Sequence, residues 1–178
     1  MFLHSVSVIA SGCALLVASA SLSAPQQSQR GPSTSEERQQ AFAYSLEIQA
    51  DPLSPDTVPK KEWLLQWILE VPDIQVHICR VIDMAKGDKK HSNILFDAMM
   101  AAQTAFAIQH MYDKPDTPAE IHAGIEGMLF AYEKVIAKRP QDHQPGLDDL
   151  LERRRAGTLA DFVSQQITTH CSELISPK

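Results

Sequence analysis

A single all-α domain, a bundle of about six or seven helices behind an N-terminal signal peptide, is the architecture that three features of the chain point to. The stretch Ile94 to Tyr112 is apolar on nearly every side and carries one charge, Asp97, which is the pattern of a helix enclosed by other helices. Thr117-Pro118-Ala119-Glu120 is a full helix-start signal of cap, proline and carboxylate. Only two segments alternate with period two, and two strands alone make a marginal ribbon. With 178 residues, 44% apolar and 21% charged, one packed domain is expected and wholesale disorder is excluded. The net charge of −6 disfavours nucleic acid as a partner.

Residues 1–24 read as a signal peptide. Its most apolar part, Val6 to Val17, is shorter than the roughly 20 residues that span a bilayer, and Ala18-Ser19-Ala20 offers the small residues of a cleavage site. Cleavage is expected near residues 20–24, leaving no stable membrane span and a periplasmic or secreted product. Cys13, after Ala10-Ser11-Gly12, has a weak likeness to a lipidation box. That reading strands Ala14 to Val17 on the mature side.

Residues 25–34 are polar and proline-bearing, the composition of a flexible linker, and the helical domain occupies 35–178. Ser33 and Thr34 each stand three residues before a glutamate, so a capping box opens a helix over about Ser35 to Ala50. Phe42, Tyr44, Leu46 and Ile48 also alternate there, as a strand would. Lys60 to Val71 is the second helix, with Pro59 at its first position and Pro72 ending it. Trp63 and Trp67, one turn apart, are expected in the core. Asp73 is then placed to cap a third helix ending at Gly87, although Ile74, Val76 and Ile78 alternate as well.

The central helix follows, and after the turn Asp113 to Thr117 another runs to about Arg139. Gly124 and Gly127 inside it each cost about 1 kcal/mol relative to alanine, which predicts close packing against the central helix in an antiparallel hairpin. Gly127 to Pro140 is similar to the second helix of a tetratricopeptide repeat. The preceding Pro115 and Pro118 depart from that repeat, no 34-residue period runs along the chain, and no family is assigned. Gly146 to Ala156 is a short helix closed by Gly157, and Thr158-x-x-Asp161 opens the last, reaching Cys171.

With the leader removed, Cys79 and Cys171 are the remaining cysteines, and in an oxidising compartment they are expected to form a disulfide. Phosphate loops, nucleophile elbows, zincin helices, CxxC pairs and EF-hand loops are missing from the sequence, and no spacing selects two of the acids for hydrolysis. No catalytic, cofactor-binding or metal residue is therefore assigned. The expected function is a non-catalytic binding or structural role toward a protein or envelope component. The alternatives are a helical-bundle metal protein using His110, His122 and Glu126, or a small secreted hydrolase. His77 and Cys79 point about 200° apart on a helix, which argues against a joint metal site. The basic clusters Arg153-Arg154-Arg155 and Lys89-Lys90-His91 fit a helix end and a solvated loop.

Overall fold

The fold was read from a computed structural model that describes residues 30–79 and 91–172. Among them six α-helices follow in order: α1 Ser35–Ala50, α2 Val58–Glu70, α3 Ser92–Gln109, α4 Thr117–Lys138, α5 Pro145–Arg155 and α6 Leu159–His170. Short 3₁₀ turns at Pro55–Thr57 and Pro140–Asp142 connect them. The all-α, single-domain expectation holds. Residues 1–29 lie outside the described residues, and with them the expected leader, its cleavage site and Cys13; Lys89 and Lys90 of the second basic cluster, within 80–90, lie outside them as well.

Two apolar clusters share α3. Leu95, Met99 and Met100 face α4, α5 and α6, where Leu129, Leu147, Leu150, Val163 and Ile167 close one core. Ala101 faces α1 and α2, where Ile48, Leu64 and Trp67 form the other. Every residue from Ala98 to Ala105 is buried, as a helix apolar all round requires. Among the described residues no helix is long and apolar enough to cross a membrane.

The glycine prediction for the α3–α4 hairpin holds in detail. A Cβ on Gly127 would lie 2.5 Å from the Ala102 Cβ and 2.8 Å from the Ala98 carbonyl oxygen, and one on Gly124 would lie 2.6 Å from the Gln103 Cγ. Rising numbers on α4 meet falling numbers on α3, so the two run antiparallel with their backbones in near contact. At the far end of α4, the buried Tyr132 hydroxyl donates to Asp148 (2.8 Å) and accepts from the Gln144 N–H (2.6 Å), which locks α5 onto α4. Burial, with the Asp148 charge added, pushes that phenol up to about 12.

One expected element is not formed. The third helix proposed between Asp73 and Gly87 is absent over the described residues 74–79, which carry no regular secondary structure; 80–87 lie outside the description. Asp73 caps no helix. Its carboxylate accepts from the Ser33 N–H and Oγ, both at 2.8 Å, and so ties the start of α1 to the exit of α2. From Arg30 onward the linker is anchored too, with Arg30 paired to Glu37 and Glu70.

This irregular strap, residues 74–79, ends at Cys79, which is bridged to Cys171 at the end of α6 with a Cα–Cα distance of 5.9 Å. The disulfide therefore clips a strap, not a helix, to the last element of the bundle.

Candidate functional site

A segment without helix or ladder bonds of its own must find partners for its backbone elsewhere. For His77 they come from two helices. Its N–H donates to the Glu120 Oε1 (2.8 Å) and its carbonyl accepts from the Gln103 Nε2 (2.8 Å). Its ring Nδ1 lies 2.8 Å from the Glu120 Oε2. Glu120 is thus wholly engaged in holding the strap, and it is buried. Burial pushes its carboxyl above the ordinary value of 4.5, while the hydrogen bonds from His77 pull back.

The capping assignment at this helix start shifts by one residue. Asp116, not Thr117, is the cap, accepting the Ala119 N–H at 3.0 Å. Glu120 is thereby released from the cap and turned inward.

Strap, α3 end and α4 start enclose an open cleft of about 550 Å³, within the range of small-ligand sites. Its apolar wall is Ile74, Phe106, Ala107 and Met111, and its polar side includes His77, His110, Asp113, Asp116 and Glu120. His110 stands at the end of α3, with Nδ1 2.7 Å from the Asp113 Oδ2 and its ring 4.3 Å from that of Phe106. Comparison with family models, with curated proteins and with solved structures finds no match to this chain. The geometry of the cleft therefore has to carry the functional reading by itself.

The three residues of the metal alternative are not brought together. His110 pairs with Asp113 in the cleft, whereas Glu126 lines a different, more open trough between α1 and α4, floored by Ala102, Ala105 and Gly127. His122 lies 3.6 Å from Glu126, one turn along the helix, and Glu126 also faces Arg154 at 3.7 Å. Among the described residues no three His, Cys, Asp or Glu side chains converge to hold a metal. His77 and Cys79 are on the strap, one bonded to Glu120 and the other in the disulfide.

The remaining candidates have structural duties. Arg153 pairs with Asp149 at 2.8 Å and lies 4.0 Å over the Phe162 ring; Arg154 reaches Glu133 at 2.5 Å. Trp67 is buried, and Trp63 stacks on it at 5.9 Å while meeting Tyr44 edge-on. His91, at φ 62°, reaches the buried Asp142 with Nε2 at 2.8 Å.

Sequence reasoning missed the His77–Glu120–Gln103 cluster. Gln103 and Glu120 stand 26 and 43 positions from His77 along the chain, beyond any local period. The one local trace was a polar residue set inside the alternation Ile74, Val76, Ile78.

Proposed function

We propose that this protein is exported and acts by binding, without catalysis, with the strap cleft as its contact site. The observation that carries the reading is the division of labour inside the cleft. Glu120 and the backbone of His77 are committed to the fold, while an apolar wall and two imidazole edges remain open beside them. A site built this way offers shape and hydrogen bonds to a ligand. The Cys79–Cys171 bridge supports export, because such bonds persist in oxidising compartments.

Fractionation of the native host, followed by intact-mass measurement of the recovered chain, tests the first half. The expected product lies outside the cytosol, begins between residues 21 and 25 and carries the mass deficit of one disulfide. An intact Met1 on a cytosolic, fully reduced chain overturns it. The second half is tested by amide chemical shifts on addition of small organic probes. Changes confined to residues 74–77 and 106–120 are expected, and a probe set that moves none of them overturns the cleft as the contact site.

A further inference from the structure

We propose that the ligand accepted by this cleft is a small organic amine with an apolar body, an inference that rests on the binding reading above. It begins with a proton assignment. A carboxylate only accepts hydrogen bonds, so the ring nitrogens facing Glu120 and Asp113 must carry the hydrogen: Nδ1 in both His77 and His110. On a neutral imidazole the other nitrogen, Nε2, then holds a lone pair. Neither Nε2 has a partner among the described residues, and both rings line the same cleft.

The rest of the polar rim repeats this bias. Asp113 and Asp116 each spend one oxygen, on His110 and on the Ala119 N–H, which leaves the second to accept. The side-chain donors on the lining are the Lys114 ammonium, the Thr117 hydroxyl and the Gln75 amide. A cleft with more acceptors than donors is matched by a ligand that brings N–H groups, and a positive one gains from the carboxylates and the net charge of −6. The apolar wall of Ile74, Phe106, Ala107 and Met111 takes the hydrocarbon part.

An anionic ligand is the main competitor, because α4 opens on the cleft and a helix start attracts negative charge. That position is already filled from within. The Asp116 carboxylate caps α4 at 3.0 Å, and an incoming anion would meet it together with Asp113 and Glu120.

The test is a chemical-shift titration of the oxidised protein with phenethylamine, 3-phenylpropionate and 2-phenylethanol, which share a ring and differ in the head group. Phenethylamine is expected to shift amides of residues 74–77 and 106–120 saturably, with a dissociation constant on the order of 1 mM for so small a probe. The propionate should bind about tenfold more weakly or worse. His110→Leu and Asp113→Asn alter exposed side chains, leave the fold intact and should each weaken phenethylamine by about tenfold. Propionate or alcohol binding as tightly as the amine, or amine binding indifferent to both variants, overturns the amine assignment while the binding reading stands. Silence from all three probes overturns both.

Discussion

Asp73 and Glu120 anchor the two ends of one strap and answer to acid in opposite directions. Burial opposes ionisation of Asp73, but the Ser33 N–H and hydroxyl bonds, its own backbone N–H and the Arg38 charge outweigh it and hold the carboxyl below its ordinary 3.8. Its contribution to stability is full above that value and is lost as pH falls through the lower folded value. Glu120 is held above its ordinary 4.5, chiefly by burial. The folded state therefore binds its proton more tightly than the unfolded one. Its contribution is full below 4.5 and is lost as pH rises through the folded value. In urea midpoints from about pH 3 to 7, the deficit of Asp73→Asn should shrink on acidification and that of Glu120→Gln should shrink on alkalinisation. Parallel deficits for the two variants would show that the strap anchors do not titrate as described. Gly127→Ala sets two opposed effects against each other. Helical propensity gains about 1 kcal/mol. The added carbon, however, meets the Ala98 carbonyl oxygen and the Ala102 Cβ at under 3 Å, and overpacking costs about 1–3 kcal/mol. Because backbone is one of the two neighbours, net destabilisation is expected, and a raised denaturation midpoint would mean that α3 and α4 can move apart cheaply.

The strap is the element whose role is most open to direct measurement. Bridging positions separated by 92 residues constrains the unfolded chain by about 4.6 kcal/mol in the entropy model, so Cys79→Ser should cost about 2–5 kcal/mol. Because His77 is held only two residues away by Glu120 and Gln103, the His77 amide should lose hydrogen-exchange protection in this variant before amides of α3 do. Equal loss at both would show that the strap opens only with the whole molecule. The helices were legible in the sequence because their starts are written locally. Thr34 and Glu37 form the reciprocal cap expected of them, and Pro118 stands in the first turn of α4. The strap was not legible. Its residues carry apolar side chains at strand period, yet the groups that satisfy its backbone are Gln103 and Glu120, on helices far along the chain. The same distance hid the cleft, since Glu120 read locally as a helix-start acid and became a partner for His77 only once α4 lay against the strap. The His110, His122, Glu126 grouping failed for a related reason: lying on either side of one turn in the sequence does not place side chains in one hollow, and His110 pairs with Asp113 while His122 faces Glu126.

The two apolar clusters raise the question of whether the molecule unfolds as one body. Their buried helical residues outside α3 come from different elements, α1 and α2 in one and α4, α5 and α6 in the other. What joins them is chiefly α3, whose neighbouring residues Met100 and Ala101 belong to opposite clusters, with Ile68 of α2 packed against both. Unravelling either side would expose one flank of a helix that is apolar all round, so the clusters should lose structure together. The chain supplies its own local reporter. Both tryptophans, Trp63 and Trp67, pack in the α1–α2 cluster, whereas Leu129 is fully buried in the other. Leu129→Ala should cost about 2–5 kcal/mol, and cooperative coupling requires the tryptophan fluorescence midpoint to fall as far as the far-ultraviolet circular dichroism midpoint, although the lesion lies across α3 from both indoles. Ile48→Ala, in the tryptophan cluster itself, should likewise move both signals together. A fluorescence transition that ignores Leu129→Ala while the helical signal shifts would divide the protein into two folding units with α3 as their seam. The cleft, lined by α3 and α4 together with the strap, would then depend on the stability of each unit separately.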